Sequence, residues 1–207
     1  MKRLSLRPFG ARLVATLIAV IALAGALTVA ASAHDGAGDE EAVAIEGGAT
    51  LLTVDPSTLE ALSGAGFAVE PIEPAQISQA ASGEVTFAFP IASGSLAVSD
   101  LSGTIKHRGG LRLSKGGTTV GVKNFVIDTS NGVLTAKVVG SRDRIPLLDL
   151  DLTNLQVFVF DDSAVLRGVG ATLTEEAATA LNAAFETDLF AEGLTVGTAE
   201  VFAVLAG

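Results

Sequence analysis

The densest chemistry in this 207-residue chain is Lys106-His107-Arg108, three basic residues running into Gly109-Gly110. Such a segment can contact a ligand, with the imidazole as a haem ligand or the three side chains as a cationic pocket for a carboxylate. It can equally be a strand end whose imidazole is hydrogen-bonded and whose neighbours are solvated, and the local pattern favours this plainer reading. Asp149 and Asp151 alternate with Leu148, Leu150 and Leu152, so both carboxylates share one face of an extended segment. Paired carboxylates can bind Ca²⁺ or act as acid and base. Any half-exposed strand shows the same alternation, however, and that reading is again favoured. Asp161-Asp162 reads as a turn, and no loop carries the D-x-D-x-D-G spacing of a calcium site. His34 could chelate copper with His107 if it became the new N-terminus, against the simpler role of a residue in a solvated tail.

Nucleophilic chemistry finds little support. The chain has no Cys and only two His. A Ser-His-Asp set would have to centre on His107, and no G-x-S-x-G elbow accompanies it. H-E-x-x-H is missing, and Gly116-Gly117 is not followed by the Lys-Ser or Lys-Thr of a phosphate loop. These patterns point away from an enzyme and name no metal site.

The elements that must position these residues are mostly short strands. Ala49 to Val54 reads as a strand. Asp55-Pro56 then starts a short helix, with Asp55 as N-cap and Pro56 at the first helical position. Phe67 to Ile72 is extended, with Pro71 marking an edge. From Val85 the period is two, with Val85, Phe87 and Phe89 on one face. Strands follow at Leu96 to Val98, Gly103 to Lys106, Gly110 to Ser114, Thr119 to Ile127 and Val133 to Val139. Others cover Leu147 to Leu152, Leu155 to Phe160, Ala164 to Val169 and Val196 to Leu205. Asn131-Gly132 predicts a type I′ hairpin turn. Thr172 with Glu175 suggests a capping box, with Thr174 as the alternative cap. Behind it, Ala177, Leu181 and Phe185 form the apolar stripe of a helix that would pack on a sheet. The expected fold is mostly β, an antiparallel sandwich or open barrel with a short N-terminal helix and one late amphipathic helix. Its expected core is Phe87, Phe89, Ile105, Leu111, Leu113, Val122, Phe125, Ile127, Leu134, Leu148, Leu150, Leu181 and Phe185.

Residues 1–33 read as an export signal. Lys2, Arg3, Arg7 and Arg12 precede an apolar run from Leu13 to Ala31, and Ala31-Ser32-Ala33 offers a small-x-small cleavage site. Retained, the leader would be a membrane anchor and the chain's one membrane contact. Residues 34–47 read as an acidic flexible tether, and residues 48–207 as a single β-rich domain. All 23 acids follow Ala33, where nine of the 13 cations remain. Nucleic acid is therefore a poor partner. With no Cys, disulfides cannot contribute, and stability must come from burial. Ten Phe with neither Tyr nor Trp suit an interior better than a recognition surface.

The turn from Gly103 through His107-Arg108-Gly109-Gly110-Leu111 is one of three segments considered together. The others are the strand through Val122-Lys123-Asn124-Phe125, and Ala171-Thr172-Leu173-Thr174 leading into an Ala-rich helix. In order and spacing they resemble the Htaa-type, or haem-transport-associated, domain of actinobacterial surface proteins, over about residues 49–205. The resemblance implies a β-rich extracellular domain that takes up haem through a Tyr iron ligand supported by His. This chain has no Tyr, so a phenolate is not available to it, and His107 stands near the family's glycine-flanked His. The residues alone favour a secreted or cell-envelope, non-catalytic β domain with an interaction or structural role, its partner an unknown envelope protein and no cofactor required. The alternative is binding of haem or a small apolar ligand, with His107, Lys106 and Arg108 as candidate contacts.

Overall fold

The structure is a computed structural model that describes residues 42–207. The leader, His34 and the tether up to residue 41 lie outside the described residues. Twelve strands and two helices follow in order. They are β1 (Ala42–Val54), α1 (Pro56–Gly64), β2 (Ala68–Ile72), β3 (Gln76–Gln79), β4 (Val85–Ala97), β5 (Gly103–His107) and β6 (Gly110–Lys115). Then come β7 (Thr118–Asp128), β8 (Val133–Val138), β9 (Arg144–Asp151), β10 (Gln156–Val159), β11 (Ser163–Leu173), α2 (Glu175–Phe185) and β12 (Thr195–Leu205).

Pairing is antiparallel throughout. β1, β4, β5, β7, β8, β9, β11 and β12 form a ring, because β12 returns to β1 and β8 pairs with both β7 and β9. The fold is thus mostly β and antiparallel with one early and one late helix, as expected, and its main sheet closes into a barrel. The β12–β1 pairing joins strands from opposite ends of the domain that the sequence alone leaves as separate edges, and closure removes those edges. β6 and β2 extend outward from β7, β3 lies on β4, and β10 lies on β11.

Local chemistry explains most element ends. Asp55 caps α1 by accepting from the Ser57 and Thr58 amides at 3.0 and 3.1 Å. Thr174, not Thr172, caps α2 and accepts from Ala177 N at 3.2 Å. Thr172 remains in β11, paired with Asp149 and Thr195, so it is not free to start a helix. The β7–β8 connection is a hairpin but not a two-residue type I′ turn. Only Gly132 of its central pair has positive φ, and Asp128 holds the longer loop by accepting from Asn131 N and Nδ2. The tight turn is Gly116-Gly117, both at positive φ, between the paired Lys115 and Thr118. β1 also starts earlier than expected. Ala42–Ile45 pairs with β4, and Ile45 is buried, so residues 42–47 belong to the barrel rather than to a tether. The unbroken apolar run Ala42–Ile45 carries no alternation from which a period could be read.

The inward faces form one apolar core. Phe87, Phe89, Ile105, Phe125, Ile127, Leu148, Leu150 and Phe185 are buried as expected, while Leu111, Leu113, Val122, Leu134 and Leu181 pack against them half-buried. Phe67 meets the rings of Phe185 and Phe190 edge-on, at 5.0 and 5.4 Å. Asn182 of α2 fixes that cluster, donating to Phe190 O at 2.7 Å and accepting from Phe190 N at 3.0 Å.

Candidate functional site

β5 and β6 form one arm of a long hairpin with β7, interrupted at Arg108-Gly109. Before the break, β5 runs between β4 and β7. After it, β6 runs between β7 and β2. The switch needs glycine. A Cβ on Gly110 would sit 2.0 Å from the Val122 carbonyl oxygen, and one on Gly109 would sit 2.5 Å from Ala75 N. Opposite the break, β7 bulges at Asn124, whose φ is 54°. The Asn124 amide donates to Gly109 O at 2.8 Å, and Arg144 braces the bulge from outside by donating to Asn124 O at 2.8 Å and Thr135 O at 3.1 Å. This double irregularity fixes the level at which His107 enters the barrel.

His107 is only 4% exposed. It shares its parity with Ile105, the most deeply buried large side chain, so its imidazole points inward. Nδ1 lies 3.3 Å from the Phe125 carbonyl oxygen, and Nε2 lies 2.7 Å from Thr50 Oγ1 on β1. A carbonyl only accepts, so Nδ1 carries the proton and Thr50 donates to Nε2. Burial pushes the His107 pKa down from 6.5 to about 4, partly offset by the Phe125 carbonyl. The ring is neutral at pH 7.

The cations beside it are elsewhere. Lys106 and Arg108 are exposed, because strand alternation turns them to the opposite face from His107. The three expected contacts therefore do not form one cationic pocket. Asp149 and Asp151 are likewise exposed while Leu148 and Leu150 are buried. Asp151 spends its carboxylate on Thr153, accepting from its amide at 2.9 Å, and the Thr153 bonds lower its pKa. The acid pair lines no cleft, and neither acid contacts His107. Among the described residues, no group of three His, Asp or Glu is arranged to hold a metal ion.

Thr50 and His107 stand at the wall of an internal cavity of about 310 Å³. That lies at the lower end of the roughly 300–1,000 Å³ typical of ligand pockets. Its lining is Leu, Val, Ile, Phe and Ala apart from Thr50, Thr58, Ser63, His107 and Thr129, and it includes neither Lys nor Arg. Sequence reasoning missed both the cavity and Thr50. The available clue was parity, since Thr50, Leu52 and Val54 lie on one face of a strand and all three line the cavity.

Comparison with known proteins places the fold. The family model described as Htaa matches residues 63–196, more than half of the chain. The C-terminal domain of HtaA from Corynebacterium glutamicum superposes with a TM-score of 0.57 at 17% identity, covering 79% of this chain and 99% of that one. A structure titled heme binding protein HtaB, from the same organism, gives a TM-score of 0.47 at 13% identity, covering 80% of this chain and 96% of that one. No curated protein matches the chain in sequence.

Proposed function

The chain belongs to the Htaa family, and on that premise we propose that it is an extracytoplasmic, non-catalytic binding protein whose barrel interior holds a small apolar ligand. The observation that carries this reading is the apolar cavity of about 310 Å³ with its one side-chain hydrogen-bonded pair, Thr50 and His107. The leader pattern of residues 1–33 supports export. A non-catalytic role is supported at His107, whose Nδ1 faces the Phe125 backbone carbonyl rather than the carboxylate that orients a catalytic histidine. Among the described residues, no helix is long and apolar enough to cross a membrane.

Haem is the ligand that the family resemblance implies, and the residues here do not fit it. There is no Tyr to supply a phenolate. No cation lines the cavity to neutralise propionates, and an unpaired carboxylate in an apolar interior is strongly disfavoured.

Titration of the protein with 1-aminoanthracene, a small uncharged fluorophore, tests the proposal. Saturable, one-site enhancement is expected. Val201→Phe, which fills the cavity from β12, should weaken it while thermal unfolding stays cooperative. No saturable enhancement would refute the ligand reading and return the domain to an interaction or structural role. Haemin should give no Soret shift. A shift that His107→Ala abolishes would establish the haem reading instead.

A further inference from the structure

Five polar side chains reach the cavity wall, and three of them are already committed to the backbone. Thr58 Oγ1 donates to Thr195 O at 2.5 Å, Ser63 Oγ to Glu60 O at 3.0 Å, and Thr129 Oγ1 to Leu101 O at 2.6 Å. Thr50 differs, because its partner at 2.7 Å is another side chain, His107 Nε2. The His107 ring is held in turn by the Phe125 carbonyl at Nδ1, so its tautomer is fixed with a lone pair on Nε2. The interior thus offers one exchangeable donor and acceptor, the Thr50 O–H and the Nε2 lone pair, side by side in an apolar wall.

Ligand groups answer this pair unequally. A hydroxyl satisfies both members, accepting from Thr50 and donating to Nε2. An ether or ester oxygen accepts from Thr50 but leaves Nε2 facing another lone pair. A carboxylate does the same and adds a charge that no lining cation meets. A bare alkane leaves the pair intact but gains no polar contact. Buried groups left without a partner are costly, whereas an exchanged hydrogen bond is close to neutral.

We infer that the cavity selects an uncharged apolar alcohol, with its hydroxyl inserted between Thr50 and His107. The inference rests on the proposed interior binding site and specifies its ligand class.

Displacement of bound 1-aminoanthracene by a matched series tests it at pH 7.5, using 1-decanol, the isosteric ether 1-methoxynonane, and decanoate. Decanol should displace the probe at a concentration roughly tenfold lower than the ether or the carboxylate, the equivalent of one hydrogen bond to a buried group. His107→Phe should erase the preference for alcohol over ether, and His107→Gln, which keeps an acceptor, should retain part of it. In the wild-type protein, long-range ¹H–¹⁵N spectra should show decanol shifting the Nε2 resonance more than Nδ1. That measurement decides the matter even if His107→Phe does not fold. Equal displacement by alcohol and ether, or an unmoved Nε2 resonance, would overturn the alcohol assignment while leaving the binding reading standing. Failure of the probe to bind at all would remove the binding reading and this inference with it.

Discussion

His107 and Asp149 are both polar residues of short strands, the first flanked by Lys106 and Arg108 and the second by Leu148 and Leu150. In the barrel they meet opposite fates. His107 is buried against Thr50, Phe125 and the cavity, whereas Asp149 faces water with Leu148 and Leu150 behind it. Lys106 and Arg108, though adjacent to His107 in sequence, share the outward fate of Asp149. On a strand, sequence adjacency separates side chains, and parity with the deepest apolar residue decides which polar group faces the interior.

Removing inward packing should have the largest effect. Phe125 is buried, meets Phe89 edge-on at 5.0 Å, and its backbone holds the His107 ring. Phe125→Ala should cost about 3–5 kcal/mol, read as a lower denaturation midpoint at unchanged m-value. Acid should discriminate almost as strongly. The folded-state pKa of His107 lies at about 4 against 6.5 unperturbed, so the unfolded chain binds the extra proton between those values. Stability is full above pH 6.5 and falls by about 3 kcal/mol as pH drops to 4. Asp55 and Asp128, whose hydrogen bonds lower their pKa, lose their contribution only below about 3.8. A His107→Phe variant that still folds should lack the part of the slope between pH 4 and 6.5. An identical slope in wild type and variant would place the titrating group elsewhere.

Thr50→Val sharpens the contrast within the inner face. The substitution preserves shape and removes only the donor to Nε2, leaving a buried acceptor unpaired at a cost of about 1–3 kcal/mol. Chemical denaturation at pH 7.5 measures it. A neutral result would mean that water reaches Nε2 from the cavity and replaces the hydroxyl.

Much of this was legible from periodicity. The Phe87 and Phe89 face, the Asp55-Pro56 helix start and the Ala177, Leu181, Phe185 stripe each follow from spacing that local physics enforces. Barrel closure was not legible, because the β12–β1 pairing joins residues at opposite ends of the domain whose partners no local pattern names. Thr50 was hidden for the same reason. It is one β-branched residue in an ordinary strand, and only the ring brings it within 2.7 Å of a histidine 57 positions away. The outward fate of Lys106 and Arg108 could have been read from Ile105. The run of three basic residues drew attention to charge and away from alternation.

The smallest expected effect tests the outer face. Lys106→Gln, Arg108→Gln and Asp149→Asn each alter an exposed side chain that lines no part of the cavity. Each should change stability by no more than about 0.5 kcal/mol and leave fluorophore affinity unchanged. Because the chain carries 23 acids against 13 cations, removing either cation makes the net charge more negative and Asp149→Asn makes it less so. A field effect on a charged ligand would therefore push the cation variants and the acid variant in opposite directions, and more strongly at low salt. An uncharged ligand gives no such split. A decanoate affinity that fell with Lys106→Gln and rose with Asp149→Asn would show that the basic pair steers an anion towards the barrel after all. The polar faces would then cooperate, and parity alone would no longer define the site.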